Sequence, residues 1–195
     1  SGAAESVYKR RPLSMAQFGE ARDMEWAQQH DLIDHYVYLS ITNAMKVGVT
    51  RHTQIPARWI DQGAVQALVL AQTPNRHIAG VIERALMAHV ADKTNWQPML
   101  KGEITYSNLV EEKQRLAQLL HPELRQYVTE HRQITEISYP QLTVPTKISS
   151  ATFDKAALVE GQLIGIKGQY LYFEDGTVLN VRRHTGYAIE ISTSE

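Results

Sequence analysis

The spacing of apolar positions changes period several times along the chain, and each change predicts an element. His35-Tyr36-Val37-Tyr38-Leu39-Ser40-Ile41 and Lys46-Val47-Gly48-Val49-Thr50 are β-branched or aromatic runs separated by Thr42-Asn43-Ala44, a pattern that predicts a hairpin. The period then turns helical. Thr53 is placed to cap a helix with Pro56 in its first turn, Arg58, Trp59 and Ile60 inside it and Gly63 at its stop. Ala67-Leu68-Val69-Leu70 suits a buried third strand, and Thr73-Pro74 signals a helix start. That helix should run to about Val90, because Ile78, Val81, Ile82, Ala85, Leu86 and Val90 recur at helical spacing and predict a face packed on the sheet.

Outside this strand, strand, helix, strand, helix order, residues 1 to about 14 form a polar arm with Lys9-Arg10-Arg11-Pro12. Phe18, Ala21 or Arg22, Glu25 and Trp26 fit an amphipathic helix over 15–30. Asn108 and Glu111 resemble a capping box for a helix through Leu120, and Pro122 opens another over about 123–132, which predicts an αα-hairpin. The two prolines of the 139–145 stretch predict an extended connection. Beyond it the pattern is all β: residues 161–168, Tyr170-Leu171-Tyr172-Phe173, Val178-Leu179-Asn180-Val181 and Tyr187-Ala188-Ile189-Glu190-Ile191, with Asp175-Gly176 as a hairpin turn. The fold class expected is α+β: a small antiparallel sheet flanked by helices, then the αα-hairpin and a small C-terminal antiparallel β module. The divisions are 1–34 for the arm and first helix, 35–100 for the core, 101–138 for the helical hairpin and 139–195 for the β module.

A chain of 195 residues supports one or two domains, and 43% hydrophobic with 21% charged residues is the balance of a soluble globular protein. No apolar run is long enough to cross a bilayer, so no membrane partner is expected. Ser1-Gly2-Ala3-Ala4 looks like a tag remnant, no secretory leader is expected, and the expected location is cytoplasmic. The absence of cysteine excludes disulfides, thiolate zinc sites and cysteine nucleophiles within these residues. Any metal must then use carboxylate, histidine or water. A net charge of -1 gives no global basic field for nucleic acid, which leaves local patches to do any phosphate binding.

Tyr36-Val37-Tyr38-Leu39, the stretch from Lys46 to Gly63, Val81-Ile82-Glu83-Arg84 and Ala91 to Trp96 together resemble an uncharacterised bacterial domain-of-unknown-function family, and the likeness continues into Gly165 to Tyr170. The hairpin and helix in turn resemble the core of the GIY-YIG nuclease superfamily, whose small antiparallel sheet carries two tyrosines, with an arginine on the next helix and a metal-binding glutamate on a later one. The resemblance implies that Tyr38 stands at the first motif tyrosine and that Val47-Gly48 closes the second motif, with Lys46 in place of its tyrosine. Arg58 stands at the helix arginine and Glu83 at the metal-binding glutamate. The stretch from Gly48 to Arg58 is slightly longer than the usual nuclease spacing. Relatives in the bacterial family carry a cysteine-rich segment before the hairpin, where this chain has Ala21 and Asp31 at two of the cysteine positions, so no zinc is expected.

On this resemblance the expected function is a nucleic-acid-processing or nucleic-acid-binding protein, and, if active, a phosphodiesterase dependent on Mg²⁺ or another divalent cation. Phosphodiester cleavage needs a base, charge stabilisation at phosphate and assistance to the leaving oxygen. Tyr38 activated by the Lys46 ammonium, Arg58 as a phosphate fork and Glu83 on the metal cover those roles. Tyr36, Arg51, His52, Lys93 and Trp96 are the candidate nucleic-acid contacts. Aromatic and basic residues of the last module, Lys167, Tyr170, Tyr172, Arg182, Arg183 and His184, offer a second platform.

Each residue also has a purely structural role open to it. Tyr36 and Tyr38 share a strand face and can simply pack; Lys46 suits a solvated charge; Arg58 can pair with Asp61; Glu83 suits an ordinary helix surface. Trp96 can anchor its own loop, and alternating aromatic and basic residues equally describe a half-buried sheet. A catalytically inactive binding module for nucleic acid or a phosphorylated ligand, and a structural interaction domain, are the competing readings.

Overall fold

A computed structural model of the chain describes residues 13–20, 23–90 and 95–193. The hairpin is formed by β1 (His35–Ile41) and β2 (Met45–Arg51), which pair antiparallel with Tyr38 opposite Gly48 and Ser40 opposite Lys46. β3 (Gln66–Thr73) pairs with the other side of β1, and the two-residue β4 (Thr135–Glu136) extends the sheet in the order β2-β1-β3-β4, antiparallel throughout. The helices are α1 (Met24–His30), α2 (Ala57–Asp61), α3 (Arg76–Met87), α4 (Trp96–Leu100), α5 (Leu109–Leu119) and the single turn α6 (Pro122–Arg125).

Alternation along the strands divides the core. Val37, Leu39 and Ile41 of β1 join Leu68 and Leu70 of β3 on one face, where they are buried against Ala79, Ile82 and Leu86 of α3 and Leu109 and Leu116 of α5. Each large aliphatic side chain taken from water there contributes roughly 1.5–3 kcal/mol, which is what holds the two helices to the sheet. The other face carries Tyr38 and Ala67, packed with Trp59 of α2 and Ala64. Lys113 of α5 is buried among these layers, and its ammonium donates to the carbonyls of Val69 at 2.9 Å and His131 at 2.7 Å and to Thr129 Oγ1 at 3.0 Å. Burial lowers its pKa to about 8.

The second sheet has the order β5-β8-β7-β6, from β5 (Ser149–Ala151), β6 (Leu163–Lys167), β7 (Tyr170–Phe173) and β8 (Thr177–Asn180). The β6-β7 and β7-β8 pairs are antiparallel as expected, but β5 runs parallel to β8. Tyr172, Ile164 and Val178 of this sheet are buried with Met99 and Leu100 of α4, so this short helix is the cover for the module's apolar face.

Several sequence expectations are corrected. The expected 15–30 helix is a 3-10 turn, Ala16–Phe18, ended by Gly19 in the left-handed region, and then α1 with the Asp23 side chain accepting from the Trp26 amide. Thr53 caps nothing; it lies inside a 3-10 turn, His52–Gln54, and α2 begins after Pro56. α3 is capped by Asn75, whose side chain accepts from the Ile78 amide, and stops at Met87 rather than Val90. The αα-hairpin is reduced, because after α6 the chain turns back to the sheet, with the Gln72 amide donating to Tyr127 O and the Thr129 amide to Leu70 O. Residues 187–191 alternate like a strand but pair with none among the described residues. The arm over 1–12 lies outside the described residues. No helix among those described is long and apolar enough to cross a membrane.

Candidate functional site

Tyr38 stands at the centre of β1 and is fully buried. Its hydroxyl donates to Gln62 Oε1 at 2.9 Å, and the Arg58 guanidinium hydrogen-bonds the phenol oxygen. Arg58 and Gln62 are one helical turn apart, so α2 and its C-terminal residue present both to the same spot. Trp59 closes the site from the side, edge to face with the Tyr38 ring at 5.9 Å between centroids. Half-buried Glu83, from α3, lies close enough for its charge to act on the same phenol. A cation in hydrogen-bond contact and a more remote anion therefore act on one hydroxyl.

Lys46 shares this face of the sheet. It is opposite Ser40 on β2, two residues from Gly48, and Gly48 is the cross-strand partner of Tyr38. Tyr36 is also on this face, half-buried and opposite Thr50. Of the expected catalytic set, Tyr38 and Arg58 thus meet in a hydrogen bond, Glu83 bears on the same phenol through its charge, and Lys46 stands on the neighbouring strand.

The electrostatics reverse one expectation. Burial raises the pKa of Tyr38, and this outweighs the Arg58 guanidinium, its hydrogen bond and that of Gln62, all of which favour the phenolate, while Glu83 opposes it. The phenol therefore remains protonated at neutral pH, and the cation acting on it is Arg58, where the sequence pointed to Lys46. Gly80, one turn before Glu83, leaves no room for a ligand: a Cβ there would meet Leu13 Cδ2 at 2.7 Å, so the space is filled by the chain itself.

The outlying candidates are dispersed. Arg51 pairs with His35, which places it on the opposite face from Tyr38, and its charge acts on that buried histidine. His52 is exposed, with Nδ1 3.0 Å from the carbonyl oxygen of Asp34. Lys93 lies outside the described residues. Trp96 opens α4 and stacks on Tyr170 at 5.5 Å, joining the helix to the second sheet.

The second platform does not form as expected. Lys167 is buried with Nζ donating to Met99 O at 3.1 Å, and Tyr172 is buried beneath the sheet. His184 is buried too, its Nε2 accepting from the Phe153 amide at 3.1 Å and its Nδ1 2.9 Å from Asn180 O. Arg182 and Arg183 remain exposed.

Gln62 is the site residue that the sequence reading passed over. Its signal was available: it follows Arg58 by four residues, immediately before the helix-stopping Gly63.

A family model described as "Protein of unknown function (DUF2797)" matches residues 2–189. The chain belongs to the DUF2797 family. A search of curated proteins and a search of solved structures each gave no match. The DUF2797 match spans the central sheet, the Tyr38 site and the second sheet together, so the family is defined over both β units.

Proposed function

We propose that this chain binds and processes nucleic acid through a GIY-YIG-like core, with the phosphodiester contacted on the Tyr38 face of the central sheet. The observation that carries the reading is the Arg58 guanidinium hydrogen-bonded to the phenol of buried Tyr38, with the charge of Glu83 reaching the same group. Arg58 is the phosphate ligand: its planar fork has donors beyond the one given to the phenol, and it matches phosphate oxygens in pairs. Lys46, on the same sheet face, adds positive charge.

Tyr38 enters this reading as a holder of Arg58 and not as a base, because its proton is given to Gln62 and its burial opposes ionisation. Among the described residues no group of three or more histidines, aspartates or glutamates gathers to hold a metal. That donor set does not suit a protein-caged ion but does suit a hydrated Mg²⁺, which keeps several waters and takes one or two carboxylates plus phosphate. Glu83 would hold it, and the ion would supply charge neutralisation at phosphate and a more acidic water.

The burial of Tyr38 also favours a second reading, in which the same face binds nucleic acid or a phosphorylated ligand without cleaving it. A screen of labelled single- and double-stranded DNA and RNA, with Mg²⁺ or with chelator, separates the two. Metal-dependent cleavage lost in Glu83→Gln supports processing, and salt-sensitive binding that survives chelation supports the binding module. Neither cleavage nor binding on any member of the panel removes both.

A further inference from the structure

α2 is only five residues long, and no side chain caps its N-terminus. A helix this short has no stability of its own in water, so its placement must come from its surroundings. On one side Trp59 packs on the central sheet; on the other the surroundings are the C-terminal module. Tyr139 Oη donates to the α2 segment at Ala64 O, 2.8 Å away, with Ile60 O at 3.3 Å. Gly168, in the β6-β7 turn, packs backbone to backbone on the end of α2: a Cβ there would stand 2.9 Å from the Gly63 nitrogen and 3.0 Å from the Asp61 oxygen. Gly63 is covered by the side chains of Met99 and Lys167, and Lys167 Nζ bonds Met99 O while lying 5.7 Å from the centre of the Tyr139 ring.

We infer that the C-terminal module is a clamp for α2, in which Tyr139, Lys167 and Gly168 act as positioning residues that set Arg58 and Gln62 against Tyr38. Tyr139 and Lys167 then serve the site through the segment that carries Arg58. The left-handed backbone of Gly168, at φ +60°, and the lack of space for a Cβ give the position two independent reasons to be glycine. The inference concerns the geometry of the Tyr38 cluster and does not depend on nucleic acid being its ligand.

The test uses the full chain with ¹³C-labelled tyrosine, the Tyr38 ring resonance being assigned by its loss in Tyr38→Phe. That resonance senses the hydrogen bonds from Arg58 and to Gln62. Tyr139→Phe, which removes one oxygen and keeps the ring, and Gly168→Ala are compared with Arg58→Ala, Gln62→Ala and Thr177→Val. Thr177 bonds Asp175 in the β7-β8 turn, away from α2, so its variant reports loss of module stability alone. Tyr139→Phe is expected to move the Tyr38 resonance toward its position in Arg58→Ala or Gln62→Ala, and Gly168→Ala, where folded, to move it further. Thr177→Val should leave it in place. A folded Tyr139→Phe with the Tyr38 resonance unmoved, or a Thr177→Val shift as large as that of Tyr139→Phe, would overturn the clamp.

Discussion

The ring of Tyr38 lies across Gly48, its partner on the neighbouring strand, so closely that a Cβ at position 48 would be 2.6 Å from both Cζ and Oη of the tyrosine. The same device recurs in the second sheet, where Tyr172 covers its cross-strand partner Gly165 and leaves no space for a Cβ. In both sheets a glycine in the middle of a strand, ordinarily a weak choice, is offset by an aromatic ring on the facing strand. Gly48→Ala should therefore cost about 1–3 kcal/mol in urea unfolding, as overpacking does. The same substitution should cost less in a Tyr38→Leu background, where the ring is gone.

The two tyrosines differ in their hydroxyls, and this separates their phenylalanine variants. Tyr38 donates to Gln62, whereas the buried Tyr172 hydroxyl has no partner among the described residues. Tyr38→Phe should destabilise by about 1–2 kcal/mol, since it leaves Gln62 and Arg58 without a shared partner. Tyr172→Phe should be neutral or stabilising by up to about 1 kcal/mol, because it removes an unpaired buried group. Equilibrium unfolding of both proteins checks the contrast.

The hairpin and α3 were legible because their apolar positions keep one period, as in Val37, Leu39 and Ile41 or Ile78, Ile82 and Leu86, and the third strand because Ala67 to Leu70 is an unbroken apolar run. The site was legible only in its corners. Tyr38, Arg58 and Glu83 are named by the resemblance, but which cation reaches the phenol depends on where a five-residue helix is held. Besides Trp59 on the sheet, that helix is met by Gly168 and Tyr139, more than 75 residues away from Arg58 in the chain, through contacts to its backbone that leave no periodic trace. β4 and β5 escaped for a related reason: two or three polar residues such as Ser149 and Ser150 become strand only through the partner they meet. The reverse error occurred at 187–191, where Tyr187 is drawn to Asp154 and Ile189 and Ile191 stay exposed instead of entering the sheet.

Two buried bases make stability rise with pH in separate windows. Burial holds the His35 imidazole below its ordinary value, so the unfolded chain binds the extra proton and the fold loses stability as pH falls through about 6.5 and below. Lys113 is lowered from 10.5 to about 8, so between those values the unfolded chain again holds more protons and the fold gains stability as pH rises. Lys113→Met should therefore be more harmful relative to the parent at pH 10 than at pH 7. The difference should be on the order of 2 kcal/mol, from about 1.4 kcal/mol per pH unit across the window. Denaturant titrations of the two proteins across this range measure it.

Arg58 and Glu83 act on Tyr38 with opposite signs, which predicts opposite displacements of its titration. Arg58→Met, which keeps bulk and removes charge, should raise the pKa of the phenol beyond its already elevated value. Glu83→Gln should lower it. Titration of the labelled Tyr38 ring by ¹³C NMR reads both, and displacements of the same sign would contradict the opposed action of the two charges on this hydroxyl.

The central claim, that the Arg58 face handles a phosphodiester backbone, is tested most directly by competition binding. The parent, Arg58→Ala and Glu83→Gln are titrated with labelled DNA and RNA oligonucleotides in Mg²⁺ at two salt concentrations. The account predicts binding that weakens with salt in the parent, at least about tenfold weaker binding for Arg58→Ala, consistent with loss of a charged hydrogen-bonded contact worth roughly 1.5–3 kcal/mol, and a shallower salt dependence for that variant. Equal affinity and equal salt dependence for the parent and Arg58→Ala, with the variant folded, would contradict it.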